Sequence, residues 1–252
     1  MATYKFNYNN LGYWFLLLVV FAFAGFYTTY FSKLFAPTTT IIHVHFVFLA
    51  LWIFMLIAQP FLIKYKKLSL HRLLGKFSYI LVPLVLITSW LLTRNEYYRK
   101  IDTLQVEVAN CLQQYNQFDI LKKASVNPAA FIAIIWFITF YALAIKYRKK
   151  ATKHARYMLA TALILLSPTL DRFIAINLGV RSVVGVSSYI ISFLIIDFIL
   201  LYLLFIDYKN KKDTTTLSIC LLIFIVGQLA FYMLPNFDWW ANVMEIAMKP
   251  KP

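Results

Sequence analysis

Residues 41–63 read IIHVHFVFLALWIFMLIAQPFLI, and KYKK follows directly at 64–67. The first run holds no Asp, Glu, Lys or Arg over 23 residues, and as a helix it would extend about 35 Å. The hydrocarbon core of a bilayer is about 30 Å thick. The stretch therefore predicts a membrane-spanning helix that ends at a basic turn.

The rest of the chain repeats this pattern. The sequence of 252 residues is 62% hydrophobic and 14% charged, which is more apolar surface than one soluble core of that size can bury. We predict an all-α integral membrane protein, with residues 1–252 forming a single transmembrane domain. Seven runs are long enough to span, near Leu11–Tyr30, Ile41–Ile63, Leu70–Leu92, Ala129–Ile145, Tyr157–Ile176, Val184–Ile206 and Thr216–Leu234.

Basic residues are concentrated in the loops after the second, fourth and sixth predicted spans. Cytoplasmic loops carry an excess of Lys and Arg, so these three loops and the amino terminus are predicted to be cytoplasmic. The carboxyl terminus then lies outside, where Trp239 and Trp240 suit the interfacial belt. The basic residues are Lys64, Lys66, Lys67, Arg72 and Lys76, then Lys146, Arg148, Lys149, Lys150, Lys153 and Arg156, then Lys209, Lys211 and Lys212.

The net charge of +15 follows largely from these loops. It predicts attraction to anionic lipid headgroups. It does not indicate nucleic-acid binding, because no basic face interleaved with stacking aromatics stands clear of the membrane. Cys111 falls in the predicted outer loop and Cys220 near the cytoplasmic start of the seventh span, so the two are too far apart for a disulfide.

A short motif recurs in the basic loops. Ile63-Lys64-Tyr65 is followed by Ser69 and His71, and Ile145-Lys146-Tyr147 is followed by Thr152 and His154. A third copy, Ile206-Asp207-Tyr208, has no histidine after it. The repeat predicts one leading helix followed by three hairpins of the same orientation, unless the similarity reflects only the general composition of cytoplasmic turns.

His71 and His154 are the first candidate site. Ser69 and Thr152 are expected to be N-caps, which places both histidines in the first turn of a helix at matching depth. The positive end of the helix dipole disfavours imidazolium there, and a neutral ring suits a metal or haem iron ligand. The alternative is that both are interfacial residues that touch headgroups or loop carbonyls.

A second candidate site lies at the opposite membrane face. His43 and His45 are 21 and 19 residues before Lys64, about 28 to 32 Å away along a helix. Asp171 is 17 residues after His154 and reaches a similar depth, so a metal site that combines it with one or both histidines is allowed. The alternative is that Asp171 pairs with Arg172 or Arg181.

Asp197 lies near the middle of the sixth span, where a carboxyl group has a high free-energy cost. Intramembrane ionisable groups are neutralised, paired or functional, and Gln228 is at comparable depth on the seventh span. We expect a hydrogen bond between the two. The pair is a candidate for proton or ion coupling, and a protonated structural carboxyl is the alternative.

Residues 93–128 form a long segment between the third and fourth spans. This segment, Thr93–Asn127 with Pro128, is rich in Gln, Asn and charges of both signs. It is predicted to be an outer loop that is long enough to form a small cap of its own.

Two short segments resemble a known family. Leu70-His71-Arg72-Leu73-Leu74-Gly75-Lys76 and His154-Ala155-Arg156-Tyr157-Met158 are similar to the HRxLG and HxRxM signatures of a family of uncharacterised bacterial polytopic membrane proteins. The resemblance implies a multi-pass protein of the bacterial inner membrane. It marks His71, Arg72, Gly75, His154 and Arg156 as signature positions, and it implies no activity.

These features favour a bacterial inner-membrane protein with a histidine-ligated redox or metal site near the cytoplasmic interface. His71 and His154 are the expected ligands, with Arg72 and Arg156 beside the cofactor, which is haem b or a transition metal. Two alternatives belong to other classes. One is a non-enzymatic membrane subunit or assembly partner that binds protein or lipid, and the other is a proton-coupled carrier built on Asp197.

Overall fold

A computed structural model describes residues 10–110, 112–183 and 186–249, and this part of the chain is almost entirely helical. The helices are α1 (Leu11–Phe26), α2 (Thr40–Lys64), α3 (Leu68–Ala109), α4 (Gln117–Ala124), α5 (Ala129–Lys146), α6 (Ala151–Arg172), α7 (Ser188–Lys209), α8 (Thr215–Met233) and α9 (Asp238–Met248). Phe173–Asn177 continues α6 as a π-helical turn, and 3₁₀ turns occupy Phe31–Lys33 and Leu234–Asn236. A two-stranded antiparallel hairpin, β1 (Ser182–Val183) and β2 (Val186–Ser187), precedes α7.

Six helices are long and apolar enough to cross a membrane, namely α2, α3, α5, α6, α7 and α8. The chain is thus a multi-pass membrane protein by the length and composition of its helices. The predicted first span, Leu11–Tyr30, is four residues longer than the helix that the structure has there. Helix α1 stops at Phe26 after 16 residues, about 24 Å, which is shorter than the hydrocarbon core. A seventh span remains a prediction.

Helix α6 is the centre of the bundle. It packs against α1, α5, α7 and α8, and most of its residues between Arg156 and Asp171 are buried. Small residues permit this burial, since Ala160, Thr161 and Ala162 let neighbouring backbones approach closely. The span that carries Asp171 and Arg172 is therefore the most buried of the six, shielded from lipid by the others.

The predicted helical hairpins are present as the packed pairs α2–α3, α5–α6 and α7–α8. Tyr65 and Tyr147, at the same place in the sequence repeat, both cap their helices, with φ/ψ near −90°/14° and −99°/17°. The prediction that Ser69 and Thr152 are N-caps is wrong. Both lie inside helices that begin one residue earlier, at Leu68 and Ala151, without a side-chain cap.

The first half of the predicted outer loop is helical, and its place outside the membrane stays a prediction. Helix α3 runs on without a break to Ala109, 42 residues in all, because the polar residues after Thr93 include many good helix formers and no Gly or Pro. The extension packs with α4 and α9, and we call these three elements the cap. Trp240 is buried there and donates from Nε1 to the Ser125 carbonyl at 2.9 Å, so it is not free for the interfacial belt.

The bundle thus has two distinct ends. We call the end with the turns after α2, α5 and α7 the basic end, and the opposite end the cap end. At the cap end Arg94 donates to the Met248 carbonyl at 2.9 Å, and Lys122 pairs with Asp238 at 2.7 Å. These contacts tie α3 and α4 to α9.

Gly25→Ala should lower the thermal stability of the protein. A Cβ at Gly25 would lie 2.3 Å from the Thr169 carbonyl oxygen of α6, and backbone cannot move aside as a side chain can. We expect a loss of about 1 to 3 kcal/mol, measured as a lower melting temperature in detergent. Gly75→Ala is the matched control, since the nearest atom to its Cβ is a Gln59 side-chain nitrogen at 3.9 Å. A Gly25→Ala protein as stable as the control would contradict the close packing of α1 on α6.

Candidate functional site

His154 has a defined tautomer. Its Nδ1 lies 2.9 Å from the carbonyl oxygen of Ala144, at the end of α5. A carbonyl only accepts hydrogen bonds, so Nδ1 carries the hydrogen, and in the neutral ring Nε2 keeps a free lone pair. Metal-ligating histidines are commonly oriented in this way by a backbone carbonyl.

His71 interacts electrostatically with His154, but no ring contact or hydrogen bond joins the two among the described residues. The Nδ1 of His71 is buried, and it has no hydrogen-bond partner among the described residues. The structure therefore has both sequence-predicted histidines near the start of their helices at the basic end, and the distance between their rings stays a prediction.

Gln59 adds a third atom that can coordinate a metal, its side-chain oxygen. Gln59 is not among the site residues predicted from the sequence. Its Nε2 donates to the His71 carbonyl at 3.2 Å, and its Oε1 is buried without a partner in the described part of the chain. We call Gln59, His71 and His154 the histidine cluster. A buried acceptor left unpaired costs free energy, so Oε1 marks a place where a proton donor or a cation fits.

The cluster contains two imidazoles and an amide oxygen. Imidazole nitrogen suits zinc, copper, iron and nickel, and bis-histidine ligation suits haem iron. Within the described residues, no group of three His, Cys, Asp or Glu side chains is close enough to hold a metal. A metal ion bound by the two histidines would therefore need Gln59 as a third protein ligand. The alternative is a cofactor that needs only two protein ligands.

A line of buried polar groups continues from the cluster toward the middle of the bundle. Ser78 Oγ donates to the Gly75 carbonyl at 2.6 Å, so the Tyr141 hydroxyl, 2.8 Å away, is the donor to Ser78. Trp52 packs edge-on against Tyr141, with ring centroids 5.8 Å apart. Its side chain is 0% exposed, and its Nε1 is unpaired among the described residues.

Arg156 occupies a buried ion pair. Its guanidinium contacts the Asp207 carboxylate, and the two side chains are 1% and 2% exposed. It also donates to the Asp213 carbonyl at 2.6 Å. This arrangement ties α6 to the end of α7 and to the loop before α8, so these contacts assign Arg156 a structural role beside the cluster.

The carboxylate of Asp213 lies at the exposed edge of this ion pair. Thr215 donates hydrogen bonds to it from its side chain and from its backbone, and Lys153 and Arg156 are nearby. These interactions hold the pKa of Asp213 below its ordinary value, in that order of importance. Asp213 thus stays charged near Arg156 at neutral pH.

The remaining predicted residues at the basic end are dispersed. Arg72 is exposed on the first turn of α3, so its predicted place beside a cofactor stays a prediction. Cys220 is buried in α8 and has a free thiol, while Cys111 lies outside the described residues.

At the cap end, His45 also has a defined tautomer. Its Nδ1 lies 3.2 Å from Thr88 Oγ1, and the Thr88 hydroxyl is already donating to the Leu84 carbonyl at 2.8 Å. His45 is therefore the donor from Nδ1, and Nε2 bears the lone pair. His43, two residues earlier, contacts the Tyr30 hydroxyl through Nδ1 at 3.1 Å.

Asp171 has a partner of its own. It accepts a hydrogen bond from Ser188 Oγ at 2.5 Å, and in the described residues it forms no ion pair with Arg172 or Arg181. The two histidines of α2 and this aspartate thus contact three different side chains. A metal shared among them stays a prediction that no described contact supports.

Asp197 and Gln228 meet as expected. Gln228 Nε2 donates to Asp197 Oδ1 at 3.0 Å, between α7 and α8. A role for this pair in ion coupling stays a prediction.

Two of the residues that complete these arrangements had visible signals in the sequence. Gln59 is an amide within an otherwise apolar run, and such groups in spans are commonly functional or paired. Asp207 stands in the third repeat copy where the first two have Lys64 and Lys146. A sign reversal at a repeat position indicates a partner of opposite charge, which is Arg156.

Comparisons with protein-family models, with curated proteins and with solved structures found no match to this chain. The resemblance to the HRxLG and HxRxM signatures therefore stays a prediction. Function has to be argued from the residues themselves.

Arg156→Gln should be strongly destabilising, because it leaves the buried carboxylate of Asp207 without its cation. We expect a loss of about 3 to 5 kcal/mol, measured by thermal unfolding of the purified protein. Replacing both partners, as in Arg156→Met with Asp207→Leu, should recover part of the loss. Arg99→Gln, which removes an exposed pair with Glu96, should cost less than about 1 kcal/mol. Equal effects of the two single changes would contradict the structural role of Arg156.

Proposed function

We propose that this protein holds a transition metal or haem iron through His71 and His154 at the basic end of its helical bundle. The observation that carries the proposal is the tautomer of His154. A backbone carbonyl holds its Nδ1 hydrogen, which leaves Nε2 as the ligand nitrogen. His71, at the same end of the bundle, has a buried Nδ1 that is unpaired among the described residues.

The residues fit such a group by the chemistry of their donor atoms. A neutral imidazole nitrogen is a good ligand for iron, copper and zinc. The buried Gln59 oxygen is placed by its own hydrogen bond to His71 and supplies a third, weaker ligand for a metal ion. Buried Arg156 lies two residues beyond His154, and its ion pair with Asp207 keeps the start of α6 in place.

A bound redox metal would supply one-electron chemistry, and a bound zinc ion would supply Lewis acidity. The chain's own residues position and shield the group. Ser78 and Tyr141 fix the polar boundary on the inner side. The neighbouring basic turns attract anionic partners to the same surface.

His71→Ala and His154→Ala should each remove the bound group. The check is elemental analysis together with visible absorption of the purified protein, where a Soret band indicates haem and a metal without that band indicates a simple ion. His43→Ala is the matched control, because His43 bonds to Tyr30 at the other end of the bundle and should leave the content unchanged. A wild-type protein free of metal and haem after expression with both supplied would refute the proposal. A non-enzymatic subunit that uses this surface for protein or lipid contacts would then be favoured.

We further propose that the basic end faces the cytoplasm of a bacterial inner membrane, with α1 as a seventh span and the cap outside. The support is the concentration of Lys and Arg in the short turns at one end of the bundle. On this orientation the histidine cluster lies at the cytoplasmic interface.

Single cysteines at Lys67 and Lys150, in a background without Cys111 and Cys220, should resist a membrane-impermeant maleimide in intact cells. A cysteine at Gln113, near the cap, should react. Permeabilised cells are the control, and there all three should be labelled. If the cysteines introduced at Lys67 and Lys150 are labelled in intact cells, the proposed orientation of the bundle in the membrane is wrong. The metal proposal would not be affected.

A further inference from the structure

A large cavity of about 1140 Å³ lies between the helices at the cap end, separate from the histidine cluster. Typical small-molecule pockets have about 300 to 1,000 Å³, so this cavity has room for a ligand larger than most metabolites. None of the residues assigned above to the histidine cluster lines it. It therefore needs an explanation of its own.

The deep part of the cavity is apolar. On α2, residues Leu49, Ile53 and Ile57 follow His45 at intervals of four, so the four side chains form one stripe along the helix. From His45 to Ile57 the stripe measures about 18 Å. Trp136 and other apolar side chains face it from α5. The shape suits an extended acyl chain.

The charged side chains that line the cavity are mostly cationic. They are Arg99, Lys100, Lys123 and Arg172, against one lining carboxylate, that of Glu96. Glu96 already pairs with Arg99. The remaining three cations form no ion pair among the described residues. The charge of the lining thus favours an anionic group.

Arg172 is the most informative of these cations. It is half-buried, 21 residues after the start of α6 at Ala151, which places it about 31 Å from the basic end, near the opposite membrane interface. Its guanidinium lies 4.7 Å from the centre of the Phe26 ring and donates to the Pro168 carbonyl at 3.3 Å. In the described residues it forms no ion pair. A half-buried arginine without a carboxylate partner can accommodate a bound anion, which would add charge-assisted hydrogen bonds.

The cavity also reaches the surface of the bundle that faces lipid. Val19, Phe23 and Phe54 line it on α1 and α2, yet they are 45%, 52% and 60% exposed. These side chains stand where an opening between α1 and α2 meets the hydrocarbon. A lipid can therefore enter sideways, with its chain at the depth where it already lies in the bilayer.

We propose that this cavity binds one lipid with an anionic headgroup, its acyl chain along the α2 stripe and its headgroup at Arg172, where Lys100 farther along the lining adds to the positive potential. His45 Nε2, with its free lone pair, lies at the top of the stripe and accepts a hydrogen bond from a hydroxyl of the headgroup. The combination of an apolar channel, an uncompensated cation and a lateral opening specifies a membrane lipid of negative charge.

The test is native mass spectrometry of the delipidated full-length protein with dimyristoyl phosphatidylglycerol and dimyristoyl phosphatidylcholine, which share their chains. We expect one phosphatidylglycerol to bind at least about tenfold more tightly. Arg172→Gln should remove most of this preference, and Ala133→Phe, which fills the apolar part, should weaken both lipids. Arg148→Gln removes an exposed charge at the basic end and is the control, with no expected effect.

Three outcomes would overturn the proposal. They are equal binding of the two lipids, equal losses in Arg172→Gln and Arg148→Gln, and unchanged binding in Ala133→Phe. Thermal unfolding checks that each variant is folded. If Arg172→Gln is not, Lys100→Gln replaces it, with a smaller expected loss of the preference. Because the lipid test does not involve metal content, its failure would leave the metal proposal unaffected.

Discussion

The buried ion pair between Arg156 and Asp207 is the constraint on which the rest of the bundle depends. It fixes the start of α6, the helix that the other spans surround, against the end of α7. Once this end is fixed, His154 is held beside the Ala144 carbonyl, and Asp171 and Arg172 are carried to the opposite end. A single charged contact between helices thus sets the placement of both candidate sites.

Burying two charges is expensive, and the structure shows how that cost is limited. Arg156 is satisfied by a carboxylate and by a backbone carbonyl of the following loop, so its donors are not left facing apolar side chains. An apolar pair of similar volume would restore part of this hold on the helices, but it would leave the Asp213 carbonyl without its donor. We interpret the ion pair as a device for register, since it forms only when α6 and α7 meet at one relative height.

The sequence predicted the spans well where hydropathy decides them and poorly where it does not. Helix α2 matches its predicted range to within one residue at each end, because a continuous apolar run is flanked by polar residues. Helix α3 was cut short at Leu92, since hydropathy falls after Thr93 although helix propensity does not. The pairing of Asp197 with Gln228 followed from depth alone, whereas the distance between the His71 and His154 rings stays a prediction. Gln59 and Asp207 stand out in the sequence as polar groups that need partners. Naming those partners required knowledge of which helix faces meet, and one sequence does not carry that information.

The length of α3 has a mechanical consequence. Its 42 residues extend about 63 Å, roughly twice the hydrocarbon thickness, so one rod carries His71 at its first turn and the cap at its far end. Pro83 lies between them and removes one backbone hydrogen bond, yet the helix continues through it without a break. A tilt of the cap, whether from a lipid at its base or from a neighbour outside, would act on α3 as on a lever and move the histidine end the other way. The two ends of this protein are therefore joined by a rigid element that can carry displacement across the membrane.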